Sequence, residues 1–235
     1  MPANDLVAYI FANTRLPLAL QFAEWIQASP RFRAFAENYR DKIGKKVRGI
    51  SDAEGYRDLQ AELATAYWLV RERRFVVDYE KYGMGKQRGP DFSVTYKTHT
   101  RFDVEVTRLR GLEAGEFPEP GKLANTLAVK LKQLPPSMIN ILVLVADNAK
   151  PDGDGPSTDP EQALVSALRL LQERAERKDD EFFVRRGFLG ARDFFRYYGR
   201  LSAIRLVTPD APPLLRLQPQ GRHPLPPDLA NLLRL

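Results

Sequence analysis

The chain has 235 residues, 43% of them hydrophobic, which suffices for a sizeable core and excludes wholesale disorder. It has no cysteine and only two histidines, which excludes a disulfide framework, a zinc ribbon, a thiol nucleophile and a histidine cage; any metal would be held mostly by oxygen. A net charge of +6 inclines the surface towards polyanions, and no apolar run approaches the ~20 residues of a membrane-spanning helix. The opening "MPANDLVAYI" lacks a basic n-region and a long apolar stretch, so a cytoplasmic location without a membrane partner is expected.

Residues 1–50 read as a helical extension, broken at Pro17 and Pro30 and closing on a basic loop, "GKKVRG". An α/β core is expected over 51–210. Its first helix spans 53–73, where Tyr56, Leu59, Leu63, Tyr67 and Val70 recur at helical spacing. "FVVDY" (75–79) reads as a short strand, and "KYGMGKQRGP" (81–90) as a loop. "DFSVTYK" (91–97) and "RFDVEVT" (101–107) both alternate and are close enough to pair as a hairpin. A loop over 111–121 leads to a helix at 122–134, ended by Pro135 and Pro136. "INILVLVAD" (139–147) has the continuous apolar character of a strand buried on both faces. After a loop at 148–160, whose Asp-Gly-Asp-Gly only weakly suggests calcium, Asp159 and Pro160 start a helix that runs to 177. An aromatic and basic segment (182–200), the strand "SAIRLVT" (202–208) and a proline-rich tail (211–235) with a short final helix complete the chain. The fold class is α/β, with a strand meander feeding a crossover.

The hairpin carries the chemistry. Asp103, Glu105 and Thr107 share one face of their strand, and Asp91, Ser93 and Thr95 share one face of the other. A loop at 98–100 sets Asp91 opposite Thr107, with Glu105 diagonal to it; a two-residue slip sets Asp91 against Glu105. In both registers the carboxylates lie within roughly 5–8 Å at Cβ. Two explanations are open. The face is solvated, or a cation such as Mg²⁺ or Mn²⁺ relieves the repulsion of its carboxylates.

The residues "GPDFSV…FDVEVT" resemble the PD-(D/E)XK nuclease superfamily, with its restriction-endonuclease-like fold. The resemblance spans residues 53–147 and implies a mixed sheet flanked by helices in the order α-β-β-β-α-β. It implies metal ligation by Asp91 and Glu105, with Glu62 of the first helix completing the shell. The chain departs from the pattern at Thr107, where the family has a lysine that orients the attacking water and neutralises charge at the phosphate. Relatives carry that lysine on the helix after the hairpin. Here Leu123, Leu127, Leu131 and Leu134 define that helix's buried stripe, and at ~100° per residue Lys130 lies ~60° off its centre. Lys130 is therefore the lysine expected to reach over the sheet. Gln133 lies further round on the same flank, and Lys132 faces away. Lys130 and Glu62 also admit the plain reading of solvated helix residues. Asp103 is expected to pair with an arginine such as Arg101, the alternative being a supporting contact behind the metal ligands.

Nucleic-acid contacts are expected from Lys86 and Arg88 in the loop before Asp91, from Thr107 and Gln133, and from Arg185 and Arg186 in "FFVRRGFLGARDFFRYYGR". The leading expectation is a Mg²⁺- or Mn²⁺-dependent nuclease acting on DNA in preference to RNA, with Glu62, Asp91, Glu105 and Lys130 catalytic. The alternatives are a catalytically inactive domain of the same fold that binds nucleic acid or a protein, and an interaction protein whose apolar "LANLLRL" docks on a partner or forms a homodimer.

Overall fold

The computed structural model describes residues 1–12, 15–81, 89–110, 119–146, 159–209 and 211–234. The chain is mixed α/β, with six strands forming a mixed sheet in the order β1-β2-β3-β4-β5-β6. By its contacts it divides into two compact units, Met1–Tyr79 with Val94–Thr100, and Glu80–Ser93 with Arg101–Leu235. No helix among the described residues is long and apolar enough to cross a membrane.

The first unit is built on helices α1 (Ala3–Phe11), α2 (Pro17–Ala28), α3 (Pro30–Asn38), α4 (Arg40–Gly49) and α5 (Ala53–Arg71). Pro17 and Pro30 occupy the first turns of α2 and α3, where the missing N–H costs nothing. Ser29 caps α3 by accepting from the Phe32 N–H, and Asp52 caps α5 by accepting from the Gly55 N–H. Phe11, Phe22, Phe32 and Tyr67 meet edge to face in the core, with centroids 5.2–5.3 Å apart. The basic stretch "GKKVRG" is not a loop but most of α4. Ile43, Gly44 and Val47 are its buried residues, and α4 packs on α1, so the glycine lies inside the helix rather than breaking it.

Strand β1 (Phe75–Tyr79) ends this unit's continuous segment, and β2 (Phe92–Tyr96) leads into a tight turn. Lys97 and Thr98 both adopt positive φ, and the His99 N–H donates to the Tyr96 carbonyl across the three-residue turn.

The second unit continues through β3 (Thr100–Leu109), α6 (Pro120–Leu131), β4 (Ile139–Ala146), α7 (Pro160–Glu176), α8 (Asp180–Val184), α9 (Ala191–Tyr198), β5 (Ala203–Thr208), β6 (Ala211–Leu217) and α10 (Pro227–Leu233). β4 runs parallel to β3 and to β5, with Glu105 beside Leu142 and Leu142 beside Ile204. One face of this sheet, through Leu142, Leu144, Ile204 and Leu206, forms a single core with Leu123, Leu127 and Leu131 of α6 and Leu164 and Leu171 of α7.

The strand β6 lies within the stretch expected only as a proline-rich tail. It pairs antiparallel with β5 as the last strand of the sheet, and Pro212 and Pro213 fall at the register irregularity between Leu206 and Thr208. An edge strand tolerates prolines there, because no ladder N–H is needed. In α10, Leu229, Ala230 and Leu233 are buried, and Arg205 of β5 donates to the Leu233 carbonyl at 3.1 Å. The loop with Lys86 and Arg88 and the Asp-Gly-Asp-Gly segment lie outside the described residues.

Candidate active site

The polar face of β3 is not solvated. Asp103 and Glu105 are 1% and 2% exposed, which removes the solvated-edge explanation. The face turns towards the α6 side of the sheet, because Asp103, Glu105 and Thr107 stand beside Asn140, Leu142 and Leu144 of β4.

Glu105 receives the side chain of Lys130, whose Nζ lies 2.7 Å from Oε1. The leucine stripe of α6 presses on the core and leaves Lys130 on its flank, half-buried, with its ammonium turned to β3. Desolvating a carboxylate to this degree costs several kcal/mol, by rough order, unless a counter-charge offsets it. Lys132, on the other side of α6, donates instead to the Gly187 carbonyl.

Asp91 stands just before β2 and is half-buried. Its Oδ2 accepts from the Val106 N–H at 2.7 Å, so the carboxylate is held against the backbone of β3 one residue beyond Glu105. The Asp91 carbonyl accepts from the Glu80 N–H at 2.7 Å, which fixes the backbone from the other side. The Ser93 hydroxyl donates to Asp103 Oδ1 at 2.6 Å. A contact between facing residues 93 and 103 fits the register that sets Asp91 against Glu105 rather than Thr107.

Asp103 pairs with Ser93 and not with Arg101, which stays at the exposed end of the strand. Burial raises its pKa, against the Ser93 hydrogen bond and the charge of Lys81, which lower it. Its Oδ2 is buried with no hydrogen-bond partner among the described residues. Ser93 and the depth of Asp103 were missed in the sequence because alternation gives a face but not its coverage.

Thr107 and Gln133 are half-buried. Glu62, in the first unit, is ion-paired with Lys46 of α4. Arg185 and Arg186 lie at the end of α8, in contact with Glu181 and with Asn125 and Phe182, respectively.

Among the described residues no group of three or more His, Cys, Asp or Glu forms a metal cage. The two carboxylates expected to hold a metal, Asp91 and Glu105, are an all-oxygen set. That set fits a hard ion such as Mg²⁺, which uses one or two carboxylates and keeps waters and substrate phosphate for the rest of its shell. It does not fit zinc, which prefers nitrogen and sulfur donors. No family model, no curated protein and no solved structure matches the chain.

Proposed function

We propose that the chain is a Mg²⁺- or Mn²⁺-dependent nuclease with a restriction-endonuclease-like core, hydrolysing phosphodiester bonds of nucleic acid, DNA in preference to RNA. One observation carries this reading. Lys130, from a helix outside the hairpin, meets Glu105 at 2.7 Å, on a strand whose next backbone N–H holds Asp91. A lysine and two carboxylates are thereby gathered on a strand where the residue two beyond the glutamate, Thr107, carries no charge. The element order α5-β1-β2-β3-α6-β4 is compatible with the α-β-β-β-α-β core.

In this reading Asp91 and Glu105 supply the anionic oxygens. The Val106 N–H fixes which oxygen of Asp91 is turned away from the backbone. A divalent ion held by Asp91 and Glu105 would supply Lewis-acid polarisation of the phosphoryl group and would activate a water. Lys130 pairs with Glu105 and offers its ammonium to the charge that develops on the phosphate. Cleavage of supercoiled, duplex and single-stranded DNA and of RNA, with Mg²⁺ or Mn²⁺, is the direct assay. Asp91→Asn, Glu105→Gln and Lys130→Ala should each lower the rate by about 10²-fold or more. A wild-type protein that cuts none of these substrates removes the proposal.

A second reading, a non-catalytic binder of nucleic acid, is favoured by Thr107 and by the closure of Lys130 onto Glu105, an ion pair that is already compensated. Its signature is salt-sensitive binding without turnover that Glu105→Ala leaves unchanged.

A further inference from the structure

Away from β3, helices α6, α7 and α8 line an open cavity of about 710 Å³ whose walls include Asn125, Leu170, Arg174, Phe182, Arg185 and Arg186. That volume suits a nucleotide-sized ligand rather than a bare ion. Arg186 sets its chemistry. The guanidinium lies 3.5 Å from the centroid of the Phe182 ring, donates to the Phe182 carbonyl at 2.6 Å and donates again to Asn125 Oδ1. It is thus held in one orientation from three directions. Arg174 lies over the same ring at 4.4 Å.

The charges of this wall are not balanced at Arg186. The two acids, Asp179 and Glu181, are ion-paired with Arg174 and Arg185, while Arg186 has no ion-pair partner among the described residues. Burial, then the like charges of Arg174 and Arg185, lower its pKa, and Asp179 offsets this in part. A half-buried guanidinium beside two others is costly without an anion. Each guanidinium carries five donors, so Arg174 and Arg185 retain N–H groups beyond their ion pairs. A carboxylate offers one fork to one arginine. A phosphomonoester dianion presents three oxygens to several arginines at once. The rest of the wall is apolar: Ala124, the half-buried Leu170, and Val129, which is 54% exposed.

We propose that this cavity binds the phosphomonoester of a nucleotide, either free or at the 5′ end of a nucleic-acid strand, with Arg186 at the phosphate, Arg174 and Arg185 beside it, and Ala124, Val129 and Leu170 against the base. The proposal does not depend on cleavage at β3. The test is calorimetric titration of the full chain in EDTA with adenosine monophosphate, adenosine, and an oligodeoxynucleotide with either a 5′-phosphate or a 5′-hydroxyl. At least one phosphorylated probe should bind about tenfold or more tightly than its unphosphorylated counterpart. Arg185→Ala, at an exposed position, and Arg186→Lys, which keeps the charge but loses the fork, should each weaken that binding by about tenfold. A preference confined to the oligonucleotide pair assigns the strand end, and one confined to the monophosphate assigns the free nucleotide. Absence of saturable binding by both phosphorylated probes, equal binding of both unphosphorylated ones, or affinities unchanged in both variants would overturn the proposal. No cleavage is read, so its failure is distinct from failure of the nuclease reading.

Discussion

Under the nuclease reading Glu105 and Lys130 do two jobs in one contact, and these separate by mutation. As a structural pair they are asymmetric: the carboxylate is 2% exposed and the ammonium side chain 23%. Removing the lysine therefore takes a counter-charge at 2.7 Å from a deeply desolvated carboxylate, whereas removing the glutamate leaves a lysine that can turn to water. Lys130→Met should destabilise the fold by roughly 2–4 kcal/mol at neutral pH, and Glu105→Leu with Lys130→Met together should cost less than Lys130→Met alone. Urea unfolding of the two variants checks this. A double variant less stable than Lys130→Met would mean that the pair is not what burial at this position depends on. Lys130 was legible in the sequence because four leucines fix the orientation of α6, and ~100° per residue does the rest. The depth of Asp103 and Glu105 was not legible, since two-residue periodicity cannot say whether a helix covers the polar face.

The elements differ in how plainly their residues announce them. β4 is an uninterrupted apolar run, and α7 begins at Asp159-Pro160 with the aspartate accepting from the Glu161 N–H. Both follow from local chemistry. α4 and β6 do not, because each carries residues that break its own class: Gly44 within a helix, and Pro212 and Pro213 within a strand. Tertiary context decides both, through the burial of Ile43 and Val47 of α4 and through the edge position of β6. The misreading of α4 also hid the partner of Glu62, since Lys46 projects from that helix.

The connection from α5 to β1 is a further case. Arg31 of α3 donates to the carbonyls of Val70, Glu72 and Phe75, at 2.6, 3.3 and 2.9 Å, joining three points of one turn. Beside it, Arg74 holds the Glu72 carboxylate through two hydrogen bonds at 2.7 and 2.8 Å. The Arg74 hydrogen bonds, against a smaller opposing effect of burial, lower the Glu72 pKa to about 2. A depressed carboxylate stabilises the fold above its ordinary pKa and loses that contribution as the pH falls towards the depressed value. Glu72→Gln should therefore reduce stability at pH 7 by roughly 1 kcal/mol, once solvent screening of so exposed a pair is allowed for. The deficit should shrink between about pH 4.5 and pH 2. Chemical unfolding at pH 7 and pH 3 measures it, and a deficit that grows on acidification would exclude this assignment.

Across the whole molecule, the nuclease reading sets the net charge of +6 and the carboxylates at β3 against each other in their action on a nucleic acid. The positive balance attracts phosphates at a distance and is screened by salt, so log K should fall with log salt at about 0.9 per phosphate neutralised on a duplex. The carboxylates repel the phosphate that must approach them, and only a divalent ion reverses their sign. Under the nuclease reading, Asp91→Asn should abolish cleavage yet tighten DNA binding in EDTA by several-fold, because one negative charge facing the scissile phosphate is gone. The slope against salt should stay the same, since phosphate contacts elsewhere are untouched. In Mg²⁺ the order should invert, with wild type binding as tightly as the variant or more so. Fluorescence anisotropy on a labelled duplex, with and without Mg²⁺ and over a salt series, reads all three. If Asp91→Asn binds DNA as wild type does in both conditions, Asp91 does not face the phosphate. Its contact with the Val106 N–H is then a structural cap on the edge of β3, and the non-catalytic binder becomes the better account of the molecule.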